Sequence, residues 1–222
     1  MSPKTILEHV DALRGSREDH IKLLSSVLSA DSGSLWGLDL VAQAVINRSV
    51  ALIDGYTKMV EDRNVLCANA LLRLQIDNIM RLYSCWLVDD PHSIAGLLLE
   101  GKPLNKIKSR DGKTLSDAYL ASEATKLYPW LKNVYAKTSG FIHLSTPHMV
   151  APFTVIDNRN NTISIAIGSH GGREWTEQEI LESLSAFTAA TASIINLTYS
   201  WGVIKEKGAM QRKRGKSTHR PE

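Results

Sequence analysis

Two cysteines among 222 residues leave no material for a disulfide framework. Cys67 and Cys85 stand eighteen positions apart inside what reads as one helix, about 27 Å of helical rise, so they cannot pair within it. Residues 1–20 lack the basic, apolar and small-residue succession of a secretory leader, and the expectation is a reducing cytoplasm. Charge is missing from residues 183–204, a stretch long enough to cross a bilayer. Eight of its positions are Ser, Thr or Asn, which makes insertion poor. A buried helix of a bundle or of a dimer seam fits better, because Ala186, Ala189, Ala190 and Ser193 let a neighbour approach closely, and no membrane partner is expected. Repeated strand–helix units are absent as well, which excludes a parallel α/β sheet. Internal repeats are not seen either.

What is present is 43% hydrophobic and 22% charged residues, a composition that excludes a disordered chain, a collagenous repeat and a polytopic membrane protein. The length suits one main domain. Of the net charge of +3, the last eighteen residues carry +5, with seven Lys/Arg against two Glu, so residues 1–204 sum to −2. The reading is a single domain over 1–204 and a basic tail over 205–222 that frays. Arg212, Lys213, Arg214, Lys216 and Arg220 could release counterions from a nucleic acid or another anionic surface. The plainer account of the same residues is a solvated tail that aids solubility.

Periodicity predicts a mostly α fold: a helical bundle of five to seven helices with one β-hairpin inserted before the long C-terminal helix. Two short helices, 5–13 and 18–28, are split by Gly15 and Ser16. The two longest patterns follow, 38–61 and 64–88, the second apolar over most of its circumference and therefore central. Residues 92–112 weaken into a short helix and a mobile basic connection. Helices over 114–125 and 128–142 come next, with Pro129 in a first turn. The period then changes to two over 153–157 and 162–167 around Asn158, Arg159, Asn160 and Asn161, a hairpin (about 152–168) whose Ile163, Ile165 and Ile167 are expected to face the bundle. Thr176 with Glu179 forms a capping box that opens the last helix.

Two groups carry chemistry. Tyr135, Ser139 and His143, spaced by four, share a helical face beside Gly140. A histidine there could exchange a proton near neutral pH with a hydroxyl that orients or is activated by it. The alternative is that His143 only satisfies a helix end, since Leu144, Ser145, Thr146 and Pro147 mark a terminus. Asn69, Arg73, Asp77 and Arg81 form a polar stripe on the central helix, drifting by about 40° per step. Arg73 and Arg81 could hold an anion while Asp77 orients a base. The same spacing also makes a ladder of ion pairs on a wet face. Gln43 and Asn47 could extend the polar site across the packed pair. His143, His148 and Asp157 fit no zinc spacing, and no metal or other cofactor is expected. The run from Gly168 through Ser169, His170, Gly171 and Gly172 lacks the nucleotide-binding glycine patterns and reads as a loop. No G-x-S-x-G elbow accompanies Ser139.

The stretch Tyr135, Lys137, Ser139, Gly140, Phe141, Ile142, His143 resembles a Tyr-x-Arg/Lys-x-Ser-Gly-x-x-His signature near the end of a bundle helix in bacterial HEPN-like proteins. The resemblance spans roughly residues 38–150 and takes in the preceding helices with their Arg-bearing stripe. It implies a homodimeric helical bundle acting on RNA, in the manner of metal-independent ribonucleases of toxin, abortive-infection and defence systems. An antitoxin-like protein partner is the other expectation it raises. The resemblance assigns His143 as general acid/base, Lys137 and Arg73 to the scissile phosphate, and Asp77 and Ser139 to orientation, with Arg81, Tyr135 and Asn69 binding. The family's motif has arginine where this chain has Lys137, and lysine lacks the guanidinium fork. A non-catalytic homodimeric interaction or ligand-binding module with a degenerate site is the reading that this substitution leaves open.

Overall fold

Seven α-helices and one hairpin make up the described part of the chain, a mostly helical bundle. The structure is a computed structural model that describes residues 5–143, 149, 152–157, 159–160, 162–168 and 175–217. The sequence features at Leu144 to His148, at Asn158 and Asn161, and from Ser169 to Gly172 lie outside the described residues, as do Arg220 and the side chains of Arg212, Lys213, Arg214 and Lys216.

Helix α1 is Ile6–Ser29, opened by a capping box between Thr5 and Glu8. It is one helix, not the two expected around Gly15 and Ser16. Gly15 costs about 1 kcal/mol relative to alanine but breaks nothing by itself. The Ser16 hydroxyl donates to Leu13 O (2.6 Å), and Ser16 O in turn pairs with the His20 ring, so this segment is satisfied while helical. Arg14 and Arg17 then fasten α1 to the second helix through Glu61 and Asp54.

Helix α2 (Gly37–Glu61) matches the first long periodic segment, and α3 (Val65–Ser84) the second up to Ser84. Cys85–Leu87 then tighten into a 3-10 turn, so the helix ends short of residue 88 and Cys85 lies just beyond it. Asn64 caps α3, its side chain accepting from Cys67 N. At the start of α2 the backbone of His92 lies so close to Gly37 that no β-carbon would fit between them. The chain then makes α4 (Ser93–Leu99). The basic connection after it, expected to be mobile, is pinned instead: Leu104, Ile107 and Leu115 are buried, and the Arg110 guanidinium donates to Trp86 O (2.6 Å) and Val88 O (3.0 Å). Helices α5 (Asp117–Leu127, capped by Ser116) and α6 (Leu131–Ser139) follow. Pro129 lies in the turn before α6, outside the helix.

Strands β1 (Phe153–Asp157) and β2 (Thr162–Ile165) pair antiparallel, Ile156 opposite Ile163 and Asp157 opposite Thr162. The expected facing does not hold. Ile163 is 55% exposed, Ile165 60% and Ile167 95%, so among the described residues these side chains face solvent rather than the bundle. Alternation fixes that two strand faces differ, and says nothing about which element is near either face.

The last helix, α7, is Glu177–Ser217 and opens with the expected box: Thr176 N and Oγ1 donate to Glu179, and Glu179 N donates back to Thr176 Oγ1. It packs on α1 and α3 through Leu184, Phe187, Ile194 and Trp201. It also carries the one described segment long and apolar enough to span a membrane, Glu177–Gln211, half of whose most apolar window is buried in the bundle. The boundary expected at Lys205 is displaced. The helix runs on to Ser217, and Lys205 is buried with its ammonium 2.9 Å from Asp39 Oδ2 and 2.9 Å from Val27 O. Trp201 Nε1 donates to the other oxygen of Asp39 (2.7 Å), and Trp36 N to Oδ2. The only acid of the first turn of α2 is therefore fully used, as cap and as counter-ion.

Candidate functional site

A groove of about 400 Å³ runs between α3, α6 and the first turns of α7. Helix α3 contributes Asn69 and Leu72; α6 contributes Val134, Lys137 and Thr138, with Phe141 just beyond its end. Opposite stand Trp175, Glu179, Glu182, Ser183 and Ala186. Helical spacing explains the set. Val134, Lys137 and Thr138 are at i, i+3 and i+4, and Glu179, Glu182, Ser183 and Ala186 continue the same pattern on α7.

Asn69, 9% exposed, is oriented from beneath. Ser183 Oγ donates to Asn69 Oδ1 (3.1 Å), and Ser183 Oγ lies 2.8 Å from the Tyr56 hydroxyl. A serine hydroxyl has one proton, so with that proton on Asn69 the Tyr56 hydroxyl must be the donor to Ser183. Tyr56 is itself fixed by stacking on Phe187 (3.9 Å between ring centres), and burial pushes its phenol well above the ordinary tyrosine range, so it remains a donor. The relay leaves the carbonyl of Asn69 occupied, and its amide N–H groups make no hydrogen bond among the described residues. Among the described residues the charged side chains lining the groove are Lys137, Glu179 and Glu182. Glu179 is engaged in the cap of α7, and Gln178 donates to one oxygen of Glu182 (3.1 Å). Lys137 is exposed and enters no ion pair among the described residues.

The residues singled out in the sequence fall in different places. Helix α6 ends at Ser139 with Gly140 as its cap, so His143 is not on the helix and shares no face with Tyr135 and Ser139. It is exposed, with no hydrogen bond to its ring among the described residues. Ser139 Oγ donates to Tyr135 O (2.6 Å), a helix-internal bond that uses its proton. The Tyr135 ring is covered by the Arg73 guanidinium, 4.3 Å from the ring centre. Arg73 is only 5% exposed, its Nε without a hydrogen-bond partner among the described residues, so the stripe is not a ladder on a wet face at this point.

Farther along α3 the stripe is an ion-pair hub. Asp77 accepts from Arg48 (3.0 Å) and from Arg81 (3.0 Å), and Arg81 continues to Asp117 (2.7 Å). Both Asp77 oxygens thus face arginine rather than a base to be oriented. Gln43 and Asn47 are exposed and do not extend the site; their neighbour Arg48 does. Arg48 also donates to Asn78 (3.0 Å), from which a buried polar chain runs through Gln75 and Ser49 to His20. Sequence reasoning missed Arg48, Asp117 and the α7 wall of the groove. The i, i+3, i+4 spacing of Glu179, Glu182 and Ser183 was the available signal for that wall.

Burial pushes the Cys85 thiol up to about 12, far from a reactive thiolate. Among the described residues, no three His, Cys, Asp or Glu side chains stand together as a metal site. No family model matches the chain, and no curated protein or solved structure is significantly similar to it.

Proposed function

We propose that this bundle is a non-catalytic ligand-binding module whose site is the groove between α3, α6 and α7. The carrying observation is the Tyr56–Ser183–Asn69 relay, which holds a nearly buried amide in one orientation, with no hydrogen bond to its donors among the described residues. A ligand that displaces water from these donors must supply acceptors for them, which a small polar ligand does. The walls supply apolar contact through Leu72, Val134, Phe141 and Trp175. Acid–base catalysis is less well supported, because Ser139, Asp77 and Tyr135 are each committed to a structural partner. A thermal-shift survey with soluble carboxylates, amines and amides tests the reading. Saturable stabilisation by at least one class, weakened in Ser183→Ala relative to its own unliganded midpoint, is the expected result. Stabilisation identical in Asn69→Leu would remove the groove from the account.

One observation favours the HEPN-like ribonuclease as a second reading: Lys137 and His143 are both exposed near the end of α6, free of other partners among the described residues. Purified protein and His143→Ala, incubated with mixed RNA in EDTA, decide it. Cleavage by the unaltered chain alone, leaving 2′,3′-cyclic phosphate ends, would establish that reading.

A further inference from the structure

The groove's polar groups are not of one kind, and their division constrains what it takes. The Lys137 ammonium on α6 and the Asn69 amide on α3 are donors, and Glu182 on α7 brings a carboxylate. Lys137 and Glu182 line the same groove without coming within ion-pair distance of each other, so each keeps its charge for a third party. An anion alone would meet the Glu182 carboxylate as well as Lys137. A cation alone would leave Lys137 and Asn69 unmatched. A ligand bearing both charges matches both kinds of group.

Resting on the ligand-binding reading above, we infer that the groove takes a zwitterionic α-amino acid with a large apolar side chain. Its carboxylate accepts from Lys137 Nζ and Asn69 Nδ2, its ammonium donates to Glu182, and its side chain lies against Trp175 and Phe141. A volume of about 400 Å³ accommodates such a molecule. Charge-assisted bonds at both ends make the recognition cooperative, since losing either leaves a charged group facing an unmatched one.

Isothermal titration with three matched probes tests this: L-phenylalanine, N-acetyl-L-phenylalanine, which keeps only the anion, and phenethylamine, which keeps only the cation. L-phenylalanine is expected to bind at least tenfold more tightly than either. Lys137→Met should erase its advantage over phenethylamine, and Glu182→Gln its advantage over the acetylated probe. Both positions are exposed, so the variants keep the fold, which circular dichroism checks. Equal affinity for L-phenylalanine and either single-charge probe overturns the zwitterion assignment and leaves the groove a ligand site. If none of the three binds while another class in the thermal-shift survey does, the assignment falls alone. If nothing binds in either experiment, both fall.

Discussion

Ser183 on α7 and Asn69 on α3, 114 positions apart, are joined by a buried hydrogen bond of 3.1 Å that occupies the carbonyl of the asparagine amide. Ser183→Ala would leave the Tyr56 hydroxyl and the Asn69 carbonyl without their partner. Each such loss costs about 1–3 kcal/mol, so urea unfolding should show a loss of about 2 kcal/mol or more. Ser183→Thr, which keeps the hydroxyl, should recover part of it. A variant as stable as the original would mean that the relay does not fix Asn69.

Lys205 and Asp39 form an ion pair with both side chains at 0% exposure. Lys205→Met leaves a carboxylate buried with no cation and should destabilise by about 3–5 kcal/mol. Lys207→Met, two residues on and exposed, should stay within about 0.5 kcal/mol. Equal effects in chemical denaturation would return Lys205 to a solvated tail.

His20 is buried, its Nδ1–H on Ser16 O and its Nε2 accepting from Ser49. Desolvation holds its pKa below the usual 6.5, with the Ser16 bond opposing weakly. The folded state therefore favours the neutral ring. Its contribution is complete above about pH 6.5, the unfolded value, and is lost as pH falls from there toward the lowered folded value. His20→Gln should flatten stability against pH in that window. An unchanged slope would assign the pH dependence to other groups.

Ile163→Thr and Ile165→Thr should each change the unfolding free energy by less than about 0.5 kcal/mol, because both side chains are exposed on β2. Losses above 1 kcal/mol would mean that the hairpin packs on the bundle, as its sequence alternation alone suggested.

Where periodicity is long and uninterrupted it was sufficient: α2, α3 and the capped start of α7 follow from residue spacing and cap chemistry. Gly15 misled because glycine lowers helix propensity without forbidding it, and the neighbouring Ser16 contacts outweigh the cost. His143 misled because spacing by four has meaning only while the helix lasts, and α6 stops at Ser139. The Asp39–Lys205 pair and the Arg48–Asp77 contact join residues 166 and 29 positions apart, and no local pattern encodes such a meeting. Asn69, Lys137 and Tyr135 were recognised as polar positions of interest. The groove that unites the first two also needs Glu182 and Ser183, which the uncharged run beginning at residue 183 concealed by drawing attention to membrane and seam readings.

The most direct test follows the Asn69 side-chain amide by ¹H–¹⁵N NMR during titration with L-phenylalanine. The account predicts saturable shifts of both Nδ2 protons, nuclear Overhauser contacts from them to the ligand, and loss of both in Lys137→Met at the same ligand concentration. Binding that leaves those protons unmoved, or no binding by any probe class, would contradict it.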